Sequence, residues 1–67
     1  MKTPSEELLI FFQYDHLPEH LKKASKPFCE LAHSIAKEEA NREQTVALRK
    51  LLEAKDAAVR AVLLRMK

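Results

Sequence analysis

The sequence predicts an all-α protein: an antiparallel helical hairpin with a short N-terminal arm, working as a homo-oligomer. Ala, Leu, Glu, Lys and Arg dominate the 67 residues and Gly is absent, a composition typical of long helices. Apolar residues also recur at helical spacing over two long stretches. We predict a single domain over residues 1–67, with an arm at 1–17, a first helix at 18–38 and a second helix at 41–66.

Self-association is expected because the chain is short. A domain of about 60 residues buries only about 60% of the surface of its unfolded chain, so small folds add disulfides, metals or further copies. Cys29 is the only cysteine, which excludes an internal disulfide and favours a small hydrophobic role at the edge of the core. Cys29 and the histidines lack zinc-finger spacing, so neither a metal nor a cofactor is expected.

Charge and hydropathy exclude several classes of function. The net charge is +2, with five Lys against seven Asp/Glu in residues 1–40 (net −2) and seven Lys/Arg against three Asp/Glu in residues 41–67 (net +4). That excess is too small for duplex DNA to be the expected partner. No apolar run of about 18 residues occurs, so we expect a cytoplasmic protein with no membrane partner. No catalytic motif occurs either, and we expect a protein that is not an enzyme.

The N-terminal arm begins with a helix-start signal. Thr3 fits an N-cap, Pro4 the first helical position and Glu6 the third. Residues 10–14 (Ile-Phe-Phe-Gln-Tyr) are rich in strand formers, but the chain offers no second strand to pair with them. We therefore expect an extended or frayed segment that docks its aromatic side chains on a neighbouring copy.

The first helix carries an apolar arc and a proline. The arc consists of Leu17, Leu21, Ala24, Phe28, Leu31, Ala32 and Ile35. Pro27 lacks an N–H and crowds the carbonyl of Lys23, which predicts a kink. The alternative is that one short helix ends near Ala24 and another begins at Ser25.

The second helix begins at a capping signal, with Asn41 as N-cap and Gln44 completing a capping box. Its apolar seam is spaced 4-3-4-3, which suits an antiparallel partner helix, and consists of Ala47, Leu51, Ala54, Ala58 and Ala61. Further apolar residues lie outside this seam and favour self-association, namely Val46, Leu52, Leu63 and Leu64.

Basic residues follow one flank of the first helix, beside the apolar arc: Lys22, Lys26, His33 and Lys37. They form either a solvated face, which the nearby Glu19 and Glu30 favour, or an edge that binds anions.

Four further side chains have two interpretations each. Tyr14 is an amphipathic anchor or a platform on which a nucleobase stacks. Arg42 and Thr45 lie in the first turn of the second helix, where they serve capping or bind an anion. Lys55 lies within an apolar arc and either extends its charge to solvent or presents it to a ligand or to a carboxylate across an interface.

Several stretches carry a resemblance to a known family: Phe12-x-Tyr14, Pro18, Leu31-Ala32-x-x-x-Ala36, and residues 41–61 (Asn-Arg-Glu-x-x-x-Ala-Leu-x-x-Leu-Leu-Glu-Ala-x-x-Ala-Ala-x-x-Ala). From about Phe11 to Leu64 the chain resembles the small phage proteins that block CBASS, the bacterial cyclic-oligonucleotide antiphage system. The resemblance implies a helical homo-oligomer, typically a hexamer. It also implies a sponge, meaning a protein that binds cyclic di- and trinucleotides such as cyclic GMP–AMP and withholds them from the host effector without cleaving them.

The resemblance also implies roles for individual residues. Tyr14 of the arm would stack on the bases, with Phe12 in the same aromatic segment. Lys26 would hold a phosphate, with Lys22 and His33 as alternates. A separate pocket for cyclic trinucleotides is expected at Arg42 and Thr45.

Two other functions stay open at this point. One is a structural helical adaptor that binds another protein through Leu52, Leu63 and Leu64. The other is a small nucleic-acid-binding regulator, suggested by the basic second helix.

Overall fold

The computed structural model describes residues 3–66, and within that range the chain is all-helical and contains no strand. Three α-helices are present: α1 (Pro4–Leu9), α2 (Glu19–Ala36) and α3 (Arg42–Arg65). A single 3₁₀-helical turn, Ile10–Phe12, follows α1 directly. The predicted all-α class is therefore confirmed.

The arm is helical where the sequence predicted an extended segment. Thr3 caps α1 as expected, since the Glu6 N–H donates to Thr3 Oγ1 at 3.1 Å. The chain then continues into the 3₁₀ turn, which the Gln13 N–H closes by donating to the Ile10 carbonyl at 3.3 Å. The prediction of an extended arm was wrong for Ile10–Phe12, because the helical path brings Phe12 into the core and its burial outweighs the local strand preference.

One residue from each of three elements forms the centre of the core. Phe12 from the 3₁₀ turn, Ala32 from α2 and Leu48 from α3 have no solvent-exposed surface. Ala32 has a small side chain, which leaves room for the phenyl ring. Partly buried apolar residues surround this centre, namely Leu8, Leu9, Phe28, Cys29, Ile35, Ala36, Leu51 and Leu52.

Pro27 does not interrupt α2. The helix runs continuously from Glu19 to Ala36, so the alternative of two shorter helices was wrong. Pro27 itself is exposed, whereas the neighbouring Ser25 is fully buried. Packing of the apolar side of α2 against the rest of the chain offsets the hydrogen bond that Pro27 cannot make. Whether Pro27 bends the helix axis stays a prediction.

Gln44 joins the beginning of α3 to the end of α2. Asn41 caps α3 as predicted, because its Oδ1 accepts from the Gln44 N–H at 2.8 Å. The side chain of Gln44 does not complete the expected capping box. It is buried, and its Nε2 donates to the carbonyls of Ile35 and Glu38 at 2.9 Å each. The Ile35 carbonyl, in the last turn of α2, also accepts from the Glu38 N–H at 3.2 Å, so the buried amide fastens the beginning of α3 to the last turn of α2 and to the link that follows it.

Phe12 and Phe11 form a matched pair for testing this packing. Phe12 is fully buried and Phe11 is 59% exposed. We expect Phe12→Ala to lower the free energy of unfolding by about 3–5 kcal/mol, and Phe11→Ala to lower it by less than about 1 kcal/mol. Urea unfolding followed by far-UV circular dichroism measures both. Because such a loss approaches the whole stability of a small domain, Phe12→Leu provides a milder variant. Equal losses for Phe11→Ala and Phe12→Ala would contradict the assignment.

Candidate functional site

Two separate surfaces carry the polar residues that the sequence singled out. The first is a stripe along α2, formed by Lys22, Lys26 and His33 and called the α2 stripe below. The second is a groove between the beginning of α1 and the beginning of α3, which contains Arg42 and Thr45.

The α2 stripe follows one side of the helix because its residues recur at helical spacing. Positions 22, 26 and 33 fall within about 40° of one another around a helix and cover a rise of roughly 16 Å. Cys29 lies on the same side by the same periodicity. Lys37, which the sequence also placed on this flank, follows the last residue of α2 and serves as its C-cap.

Lys26 is the most available cation of the stripe. Lys22 is half-buried, and its Nζ lies 3.7 Å from Glu19 Oε1. Lys26 is exposed and takes part in none of the ion pairs found among residues 3–66. An exposed ammonium without a carboxylate partner gains more from binding an anion than one that must first give up a partner. The structure therefore favours Lys26 over Lys22 as a phosphate contact.

His33 is held against its own helix. Its Nδ1–H donates to the Cys29 carbonyl at 2.9 Å, and the Cys29 Sγ lies 3.6 Å from the same nitrogen. With Nδ1 protonated in this way, the neutral ring has Nε2 as an acceptor, and the protonated ring has Nε2 as a second donor. His33 can thus contact an anion only in its protonated state or through water.

Tyr14 lies in the loop between the 3₁₀ turn and α2, and its side chain is half-buried. Its carbonyl accepts from the Leu17 N–H at 3.0 Å, which fixes a turn just before α2. The next residue, Asp15, acts electrostatically on Cys29, so this loop runs beside the middle of α2. The partly exposed phenol ring is thus carried by a loop that leads directly into α2.

The pKa of the Cys29 thiol is raised. Burial is the largest cause, and the negative charges of Asp15 and Glu30 raise the pKa further. Each of these causes disfavours the thiolate. Cys29 is therefore a protonated, half-buried thiol, consistent with a place at the edge of the core.

The structure corrects the assignment of Phe12 to the ligand site. Its ring has no exposed surface and packs against Ala32 and Leu48. A ligand could reach it only by opening the core. The two rings of the motif Phe12-x-Tyr14 therefore have different surroundings. The ring of Phe12 is buried, and the ring of Tyr14 is partly exposed.

The groove brings together residues from the beginning of α1 and from the beginning of α3. It has a volume of about 490 Å³ and is lined by Thr3, Pro4, Ser5, Ala40, Asn41, Arg42, Thr45, Val46 and Arg49. The hydroxyl oxygens of Ser5 and Thr45 lie 3.3 Å apart and join α1 to α3. Arg49 was not singled out by sequence reasoning. Its spacing of seven residues from Arg42, two helical turns, was the signal available.

Lys55 is paired within its own helix. The exposed fraction of its side chain is 13%, and its Nζ lies 3.0 Å from Asp56 Oδ1. The ion pair and the shielded stem favour the interpretation in which Lys55 covers apolar surface while its charge reaches a carboxylate at the edge. Lys55 is thus not a free cation for a ligand.

Comparison of the chain with models of protein families, with curated proteins and with solved structures gave no match. Among residues 3–66, no helix combines the length and the low polarity needed to cross a bilayer. In the same range, no group of three or more His, Cys, Asp or Glu side chains is arranged to hold a metal ion.

We expect Cys29 to react slowly with iodoacetamide, because the thiolate is the nucleophile and the raised pKa lowers its fraction at a given pH. The midpoint of the pH–rate profile should lie higher for the folded protein than for the same chain in guanidinium chloride. Steric shielding alone would slow the reaction at every pH and leave the midpoint unchanged. A midpoint at or below that of the unfolded chain would contradict the electrostatic explanation.

Proposed function

We propose that this protein is a phage-type sponge that binds cyclic oligonucleotide second messengers, sequesters them without cleaving them, and so blocks CBASS signalling in the host bacterial cytoplasm. The observation that carries the proposal is a partly exposed Tyr14 in the loop that leads into α2, together with an exposed Lys26 on α2 that takes part in none of the ion pairs found among residues 3–66. These are the two chemical groups that a cyclic dinucleotide requires, an aromatic face for a base and a cation for a phosphate.

The symmetry of the ligand favours a site between two copies. A cyclic dinucleotide has nearly two-fold symmetry and two phosphates, and a two-fold interface presents each residue twice. Two copies of Tyr14 would then stack on two bases, while two copies of Lys26 meet the phosphates. Stacking contributes about 1–3 kcal/mol per base. Together with charge-assisted hydrogen bonds this could approach the roughly −12 kcal/mol of nanomolar binding.

Exposed apolar side chains support a homo-oligomer. The resemblance implies that this oligomer is a hexamer. Large apolar residues that stay at least 44% exposed are Ile10, Phe11, Leu31, Val46, Leu63, Leu64 and Met66. A protein of this size gains stability by covering such surface with further copies. In this proposal α2 and α3 form an antiparallel hairpin. The sequence predicted that the aromatic side chains of residues 10–14 dock on a neighbouring copy, and here the exposed Phe11 does so.

A cyclic trinucleotide pocket at Arg42 and Thr45 stays a prediction. Both residues line the groove, whereas Tyr14 and Lys26 do not. The proposed dinucleotide site and any site in the groove are therefore formed by different residues, and each can be disabled without the other.

The adaptor function is the second candidate, and Leu63 and Leu64 favour it because they are 44% and 68% exposed near the end of α3. Leu52 no longer supports it, since this residue packs against the core. The nucleic-acid-binding alternative is weaker, because Glu53 and Asp56 interrupt the positive charges of α3 and form ion pairs with Lys50 and Lys55.

Calorimetric titration with cyclic GMP–AMP tests the proposal. We expect the wild-type protein to bind it at micromolar protein or below, and Tyr14→Ala to weaken binding by roughly tenfold or more through the loss of stacking. Lys26→Gln should weaken binding by about tenfold, because a charge-assisted hydrogen bond is lost.

Lys50→Gln is the control, since Lys50 is also an exposed lysine but lies on α3, outside both the α2 stripe and the groove. It should bind like the wild type. Absence of heat with the wild-type protein, or conversion of the messenger to linear products, would refute the sponge. Unchanged function of Tyr14→Ala in the cell, together with loss of function in Leu64→Glu, would favour the adaptor.

A further inference from the structure

Two exposed faces of the molecule carry large apolar side chains beside charges of opposite sign. The first, called the arm face, consists of Glu6, Glu7, Ile10 and Phe11. The second, called the α3 tip, consists of Arg60, Leu63 and Leu64. We propose that the arm face of one copy docks on the α3 tip of a neighbouring copy. This inference rests on the homo-oligomer of the proposed function and names the surfaces that join its copies.

The arm face is both acidic and apolar. Ile10 is 52% exposed and Phe11 is 59% exposed. Glu6 and Glu7 precede these two side chains by four residues, about one helical turn, and therefore lie beside them. Both glutamates are exposed and take part in none of the ion pairs found among residues 3–66. Residues 3–12 contain no Lys or Arg, so the arm offers its carboxylates to a cation from elsewhere.

The α3 tip is both basic and apolar. Leu63 is 44% exposed and Leu64 is 68% exposed. Arg60 precedes them by three and four residues, which places it on the same side of α3. Arg60 is exposed and takes part in none of the ion pairs found among residues 3–66, and residues 57–66 contain no Asp or Glu. The preceding carboxylate, Asp56, already pairs with Lys55 at 3.0 Å.

The two faces are too far apart to meet within one chain. Phe12 directly follows the arm face and packs against Leu48, and α3 rises by roughly 18 Å from Leu48 to Arg60. From Phe12, α1 leads towards the beginning of α3, where the hydroxyl oxygens of Ser5 and Thr45 lie 3.3 Å apart. The arm face thus lies away from the α3 tip, and only another copy can bring the two faces together.

Charge complementarity favours contact between unlike faces. Two arm faces in contact would oppose carboxylates to carboxylates, and two α3 tips would oppose guanidinium groups, so like faces repel each other. An arm face on an α3 tip instead gives the Arg60 guanidinium a carboxylate from Glu6 or Glu7, in the geometry that suits a bidentate pair. The same contact removes large apolar side chains of both faces from water.

A contact between two different faces determines how copies assemble. Each copy keeps one unused face after the first contact, so further copies add head to tail until the chain of copies closes into a ring. The proposed dinucleotide site requires a two-fold contact, which is a separate interface. Rings joined in pairs by that two-fold contact contain an even number of copies. Loss of the head-to-tail contact should therefore leave assemblies of at most two copies.

Charge reversal tests the contact, because each single reversal opposes like charges across it. Sedimentation equilibrium of the full chain without nucleotide measures the average mass. We expect Arg60→Glu and Glu7→Lys each to weaken association by about tenfold or more. The double variant Glu7→Lys/Arg60→Glu should associate at least about threefold more tightly than either single variant. An equimolar mixture of the two single variants should do the same, because unlike charges again face each other between alternating copies.

Two further reversals serve as matched controls with the same changes of net charge. Arg65→Glu alters an exposed arginine that lies about 140° around α3 from Arg60. Glu39→Lys alters an exposed glutamate in the link between α2 and α3. Both controls should associate like the wild type. Circular dichroism verifies that every variant keeps its helix content, and recovery in the double variant distinguishes a broken contact from a damaged fold.

Three results would overturn the proposal. They are a wild-type mass of 7.7 kDa at roughly 100 μM protein, equal losses in the control variants, and no recovery in the double variant or the mixture. Calorimetry with cyclic GMP–AMP separates this proposal from the sponge. Variants that behave as expected in a protein that does not bind the messenger would refute the sponge and leave the contact standing. Messenger binding by an assembly whose mass no reversal changes would refute the contact and leave the sponge standing.

Discussion

Burial of Phe12 against Ala32 and Leu48 attaches the N-terminal segment to the two long helices. This contact determines where both candidate sites form. On one side of Phe12 in the sequence, the chain turns through Tyr14 and passes along α2. On the other side, α1 reaches α3 and places Ser5 beside Thr45, which closes the groove. A single aromatic contact thus holds in place both the loop that carries Tyr14 and a wall of the groove.

The same contact shows how small the core is. Only three apolar residues among those described are fully buried, whereas seven large apolar residues stay at least 44% exposed. The free energy of such a small core is modest, because hydrophobic stabilisation scales with the apolar area removed from water. This imbalance is the physical reason to expect that further copies complete the structure, and a two-fold arrangement of copies is what the proposed dinucleotide site requires.

Short-range patterns in the sequence predicted the helix caps and the helix lengths, because these features depend on interactions between residues that are close in the chain. The caps at Thr3 and Asn41 follow from short-range hydrogen bonds, and the lengths of α2 and α3 follow from helical periodicity. The fate of Phe12 could not be predicted in this way, because strand preference and burial in the core compete and only the tertiary path decides.

Long-range contacts determine the features of the sites that the sequence did not predict. Arg49 belongs to the groove only because α1 folds back onto α3, and nothing near Arg49 in the sequence indicates that contact. Gln44 likewise looked like part of a capping box, but the carbonyls it binds belong to the end of α2 and its link to α3. Residue type and spacing left two interpretations open for Tyr14 and Lys26, and only the resemblance assigned them to a ligand site; the structure leaves both side chains at least partly exposed.

The mass of the protein in solution tests the central claim most directly, because a pocket between copies requires more than one copy. Sedimentation equilibrium of the wild-type chain at micromolar concentration, with and without cyclic GMP–AMP, should give a multiple of the 7.7 kDa chain mass in both cases. A single species of 7.7 kDa in both cases would contradict the account.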